Sequence, residues 1–262
     1  KNKLTGNTGG GGLSVMGLAK GFIGLQAVKM AGEGIITSIG GAMERGATNT
    51  SFGVLTGSKG NGDKLTGDLA KLSADTILGP GVFKNAQTML SFGVEAKNIM
   101  PIMKMLGDIS GGSQDKLDGL ALAFANTASA GKLTGQDLLQ YVNAGFNPLN
   151  EISRTTGKSM SSLRKDMEDG NITVKMVADS MSTATSKGGR FNDMLNKAAE
   201  TPYGKFQKLQ GQLQEVGIKL GNALMPAVSA LLDLAGPALD VLASGIDKVQ
   251  SFLMPLFGKI KP

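Results

Sequence analysis

The sequence predicts an all-α protein: a compact set of short helices, flanked by an apolar Gly-rich N-terminal segment and by a long kinked C-terminal helix that forms an oligomeric bundle. Three features carry that expectation. No stretch keeps the period-2 alternation of a half-buried strand. From residue 64 onward, capping residues and glycine stops recur at helical intervals. From Phe206 to Phe252 apolar residues return in steps of three and four, the spacing of a heptad seam.

Residues 1–12, KNKLTGNTGGGG, read as a flexible linker, because glycine loses the most entropy on ordering and nothing here can be buried. Residues 13–63 read as an apolar Gly-rich helix and loop. Within them, 13–43 is an apolar run interrupted by Lys20, Lys29 and Glu33, with Gly17, Gly21 and Gly24 at spacings that let helices approach closely. The plainer reading is a helix packed on copies of itself or on a protein wall. The other is a membrane segment, since the run exceeds the ~20 residues that cross a bilayer.

Residues 64–200 form the helical domain. Leu65, Leu69 and Leu72 share one helical face. Thr134 stands three residues before Asp137, a capping-box start for TGQDLLQYV. Asn147 before Pro148 gives an N-cap with proline at the first helical position, and Gly157 stops that helix. Ser159 caps the next, with Met160, Leu163 and Met167 as its apolar stripe and Gly170 as its stop; Val174, Val177 and Met181 repeat the pattern before Gly188 and Gly189.

Residues 201–262 differ in kind. Thr201 and Pro202 open a helix whose Phe206, Leu209, Leu213, Val216 and Leu220 are spaced 3, 4, 3, 4. After a step of four, like a stutter, the seam resumes as Leu224, Val228, Leu231, Ala235, Ala238, Leu242, Gly245, Val249 and Phe252. These nine are the candidate oligomer interface. Asp233, Asp240 and Asp247 fall at the outermost f position, while Met225, Leu232, Leu239, Ile246 and Leu253 make the e positions apolar as well. A face that wide calls for three or more helices. Pro226 and Pro237 each remove a helical hydrogen bond and predict kinks.

Composition excludes whole classes of chemistry. With 0 Cys and 0 His, the 262-residue chain offers no thiolate or histidine-ligated metal site, no disulfide, and no Ser-His-Asp or Cys-His nucleophile. Glycine, 39 residues or about 15 % against a usual ~7 %, follows no collagen period. Two Tyr and no Trp leave few platforms for stacking nucleic-acid bases, and the excess behind the net charge of +6 lies mostly in residues 1–60, which hold no cluster of adjacent Lys or Arg. Sequence-specific nucleic-acid binding is therefore not expected. The chain starts at Lys1 and shows no cleavable secretory pattern, so it reads as a fragment of something longer.

No motif assembles a catalytic, cofactor-binding or metal site. GSKGNGDKLT at 57–66 fails as a phosphate loop because Asp63 puts a carboxylate where Lys must follow the second glycine. Asp137 and Glu151 lie near helix starts, and Glu168 and Asp169 at a helix end, positions where carboxylates cap or are solvated rather than cut glycosidic bonds. The 14 Met residues, among them Met100, Met103 and Met105, could form a sticky surface, and the plainer reading is pliable core filling.

Three strings then resemble, in order, the conserved domain of the phage tail tape measure protein family: TMLSFGVEAKNIMPIMKMLGDIS (88–110), LALAFANTASAGKLTGQDLLQYVNAGFNPLNEISRTTGKSM (120–160) and GGRFNDMLNKAAETPYGKFQKLQGQLQ (188–214). The most specific elements are AGFNPL followed by TGKS, then the GGRF run before the step into a long helix. The resemblance covers residues 64–225, about 62 % of the chain. It implies a structural virion protein, not an enzyme, that fills the lumen of a growing tail tube as an oligomer. Such a protein sets tail length and leaves ahead of the DNA, its implied place being the tube lumen near one end and then the host envelope. Implied partners are the chain itself, three copies before six, the tail tube, distal tail and tail hub proteins, and, transiently, the host membrane. No cofactor is implied. A reading of another class rests on the apolar stretches 13–43 and 220–257, which would suit a membrane-active pore-forming or holin-like protein.

Overall fold

The computed structural model describes residue 34 and residues 37–257, with side chains as far as residue 230. The flexible linker expected at 1–12 and the apolar run from 13 to 33 lie outside the described residues. Everything described is helix, turn or loop, and among the described residues the only β-pairing is one antiparallel bridge between Lys132 and Thr173. The elements are α1 (37–55), α2 (Lys59–Asp75), α3 (Gly81–Ser91), α4 (Ala96–Ser110), α5 (Gln114–Ala130), α6 (Gly135–Asn143), α7 (Pro148–Thr156), α8 (Met160–Glu168), α9 (Val174–Thr185), α10 (Met194–Ala199) and α11 (Pro202–Phe257).

The chain divides into two compact units, one of residues 42–218 and one formed by 1–41 with 219–262. The first holds the core. Its centre is α5, which packs on α3, α4, α6 and α9 and buries Leu117, Leu120, Ala121, Ala123, Phe124 and Ala125 almost completely. A helix apolar on most of its circumference must be enclosed, and the alanines let its neighbours close in. Most of the described methionines behave as pliable core: Met89, Met103 and Met181 are buried, and Met100, Met105, Met160, Met167 and Met176 pack against the core's edge, whereas Met43 and Met194 are exposed.

Local signals start and stop these helices. Thr134 and Asp137 form the reciprocal capping box, Asn147 accepts from the backbone of Leu149 and Asn150, and Ser159 accepts from Ser162. Gly157 closes α7 at φ 73°, a conformation that costs glycine nothing. The N-terminal part differs from the expectation that regular helix begins at residue 64, since α2 starts at Lys59. Ser58 caps it, and Gly62 lies so near α1 that a Cβ there would stand 2.5 Å from the Gly53 nitrogen. Glycine marks a helix crossing here rather than a loop. At the other end α11 is assigned as one helix of 56 residues, continuing through Pro226 and Pro237.

Two of these helix starts form a short internal repeat. Gly131-Lys132-Leu133-Thr134 enters α6 and Gly170-Asn171-Ile172-Thr173 enters α9 by the same turn. Each opens on a left-handed glycine, φ 72° and 78°, buries an aliphatic side chain completely, and ends on a threonine whose hydroxyl caps the next helix. The turns pair: the Leu133 amide donates to the Ile172 carbonyl at 2.8 Å and Val174 to Gly131 at 3.3 Å. This pairing ties α5 and α6 to α8 and α9.

Candidate functional site

The strings most specific in the sequence converge on one aromatic cluster. Phe146, from AGFNPL, meets Tyr141 edge-on at 6.4 Å and Phe191, from GGRF, at 6.2 Å. The GGRF turn reaches that position because Gly189 presses on the α9 carboxyl end, where a Cβ would fall 2.4 Å from the Ala184 carbonyl oxygen. The Phe191 amide donates to that same carbonyl at 2.8 Å. Tyr141 is wholly buried, its hydroxyl on Thr127 at 3.3 Å, and burial raises its pKa far above the ordinary phenol range. These residues hold loops together.

The carboxylates occupy the structural posts expected of them. Asp137 belongs to its capping box, Glu151 pairs with Arg154 in the first turn of α7, and Asp169 pairs with Lys165. Asp63 binds Lys59 and Asn49, so the 57–66 stretch is a helix start. Among the described residues no cluster of His, Cys, Asp and Glu could hold a metal ion. A groove of the 42–218 unit, about 650 Å³, runs between the α11 stem and the turns after α2 and α4, past Pro80, Gly112, Gln114, Tyr203, Gln207 and Gln214. No carboxylate, lysine or arginine lines it.

What remains is a surface, built on the first turns of α11. Thr201 caps the helix, its hydroxyl accepting from the Gly204 amide at 3.0 Å, and Pro202 fills the first helical position. With Phe206 at heptad position a, positions f are Gly204, Gly211 and Ile218, all buried. A Cβ at Gly204 would lie 2.1 Å from the Ala198 carbonyl oxygen, and one at Gly211 3.1 Å from that of Ser73. The helix therefore docks on its own body by its glycine edge. Beside that edge Glu215 receives Arg45 of α1 at 2.7 Å, both side chains nearly buried, and the guanidinium lies 3.7 Å over the Phe83 ring.

The opposite edge carries the apolar seam. Phe206 (63 % exposed), Leu209 (53 %), Leu213 (63 %) and Val216 (53 %) all face away from the body, and Leu220, in the second unit, is exposed as well. Of the nine candidate interface residues, Leu224 is exposed and Val228 half-buried. Leu231, Ala235, Ala238, Leu242, Gly245, Val249 and Phe252 lie on α11, but their side chains are outside the described residues, as are those of Asp233, Asp240 and Asp247. Sequence reasoning missed the docking edge. Its signal was two glycines seven residues apart, opposite the seam.

The family model for tape measure proteins matches residues 36–221. The chain belongs to the tape measure protein family. The tape measure match takes in α1 and the first turns of α2, which the resemblance read from residue 64 left out. Among curated tape measure relatives, the probable tape measure protein of Lactococcus phage p2 is 22 % identical over 257 residues, covering 91 % of this chain and 24 % of its own length. The one from Lactococcus phage SK1 matches to the same extent. The tape measure protein of Lactococcus phage F4-1 is 25 % identical over 222 residues, 79 % of this chain and 56 % of the relative. The chain thus spans between a quarter and just over half of the tape measure proteins it resembles. No solved structure matches it. Among the described residues no helix is long and apolar enough to cross a membrane, so the pore-forming alternative gains nothing there.

Proposed function

We propose that the chain is a structural part of a bacteriophage tail: a portion of a tape measure protein that occupies the tail tube lumen near one end, contributes to length setting during assembly and leaves ahead of the DNA at ejection. The observation that carries this reading is the family match over residues 36–221. The physics agrees with it. A helix converts residue number into distance at ~1.5 Å each, so the 56 residues of α11 amount to about 84 Å measured along the helix. Its apolar seam suits a bundle of copies. The copies associate through Leu224, Val228, Leu231, Ala235, Ala238, Leu242, Gly245, Val249 and Phe252, three in a first arrangement and six in a second. Tail tube, distal tail and hub proteins surround them, and the host envelope is met only at ejection. The role is not catalytic, for the acids nearest to an enzyme's pattern act as caps and ion-pair partners. Mass spectrometry of tails purified from the phage encoding this chain, before and after triggered DNA release, tests the proposal. Peptides from 42–257 are expected in intact tails and depleted from emptied ones. Their absence from intact tails would contradict it.

A further inference from the structure

We propose that the groove beside the α11 stem binds a neutral oligosaccharide, stacked on Tyr203 and hydrogen-bonded by the glutamines of α11. Tyr203, Gln207, Gln210 and Gln214 are spaced 4, 3 and 4, so they stand on one face of the helix, and all four line the groove. That face runs for about 16 Å at ~1.5 Å per residue. With a volume of about 650 Å³, the groove has room for a short chain of sugar rings. The Tyr203 ring is 70 % exposed yet held in place, because Gln207 Nε2 donates to its hydroxyl at 3.1 Å. On the facing wall Gln114 is fixed through its amide, which donates to Asp118 Oδ1.

The chemistry of the lining selects the ligand. Each primary amide offers two donors and an acceptor in one plane, a set that neighbouring hydroxyls, each both donor and acceptor, can satisfy. An exposed aromatic face covers the C–H face of a sugar ring, which is apolar although the rim of the ring is polar. Other ligand classes leave something unpaired here. No lysine, arginine, aspartate or glutamate lines the groove, so an ion or a phosphate chain would give up its hydration without meeting a counter-charge. An apolar ligand would strip water from the amides and return no partner. An extended peptide binds by pairing its main chain with a strand edge, and both walls are helix and turn. The groove lies wholly within the 42–218 unit and needs neither self-association nor a place in a tail to bind.

Isothermal calorimetry of the full chain with cellohexaose, maltohexaose and chitohexaose tests the site. The groove variants are Tyr203→Ala, Tyr203→Phe, and Gln207→Ala with Gln214→Ala. Leu139→Ala, at an exposed position of α6, is the control, and circular dichroism checks helix content. Saturable binding of at least one of the three sugars is expected. Tyr203→Ala should weaken it about tenfold and the glutamine pair about fivefold, while Tyr203→Phe and Leu139→Ala change it little. Binding of none of the three at millimolar concentration would overturn the proposal, as would binding that Tyr203→Ala leaves untouched. Tighter binding of a proline-only peptide than of any of the sugars would assign the groove to a peptide and overturn it as well.

Discussion

Asp108 and Asp118 depart from the ordinary carboxylate pKa in opposite directions. Burial pushes Asp108 up, helped by the charge of Asp193 and opposed by the hydrogen bond from the Leu195 amide. Burial raises Asp118 too, but hydrogen bonds from Asn85, Lys84 and Gln114 outweigh it, and its pKa is lowered. The linkage signs follow. A carboxyl that holds its proton more tightly when folded favours the fold at low pH and loses that contribution as pH rises through the folded pKa. A carboxyl that holds it less tightly contributes above the unfolded pKa and loses the contribution as pH falls through the folded one. Asp108→Asn is therefore expected to raise Tm at neutral pH, with the gain shrinking on acidification below the carboxylate range. Asp118→Asn is expected to lower Tm at neutral pH, with the deficit shrinking in the same range. Thermal melts between pH 3 and 7 check both signs. Arg45 gives a third residue-scale test. Arg45→Leu strands Glu215 in a nearly dry site and is expected to cost about 3 kcal/mol, whereas Arg45→Leu with Glu215→Leu costs less than half as much. A denaturant double-mutant cycle measures the difference, and equal losses would mean that solvent already reaches the pair.

At the scale of elements, the α11 stem is held by close approach. Gly204→Ala drives a methyl into the Ala198 backbone, which cannot yield as a flexible side chain would, and is expected to cost ~1–3 kcal/mol. Gly211→Ala, with 3.1 Å to the Ser73 oxygen, is expected to cost less. Urea unfolding monitored by helix signal ranks the two, and a reversed ranking would contradict the docking geometry. The contrast shows what a sequence reveals about such an element. Thr134, Asn147 and Ser159 were legible as caps because a cap and its amides lie within three residues of each other. The α2 start was not, because Gly60, Gly62 and Gly67 dilute the helical signal and Gly62 earns its place only against α1. The docking edge of α11 was hidden for the same reason, since its meaning lies in Ser73 and Ala198. Arg45 and Glu215, 170 residues apart, offered no local sign of their pairing. The paired turns before α6 and α9 could have been found by aligning GKLT with GNIT.

For the whole molecule, the two edges of the α11 stem differ: its glycines and Glu215 pack on the 42–218 unit, while Phe206, Leu209, Leu213 and Val216 stay exposed, a surface we propose that other copies cover. An amphipathic helix that completed its own domain would turn the seam inward. The seam's outward direction makes self-association the central structural claim. Sedimentation equilibrium of the 262-residue chain in detergent-free buffer tests it most directly, alongside Leu231→Asp with Leu242→Asp. The wild-type mass is expected to be a multiple of 26.9 kDa, three copies before six, and the double variant to form smaller assemblies without losing the helices of the 42–218 unit. A wild-type chain that sediments as a monomer at every concentration, unchanged by the double substitution, would contradict it.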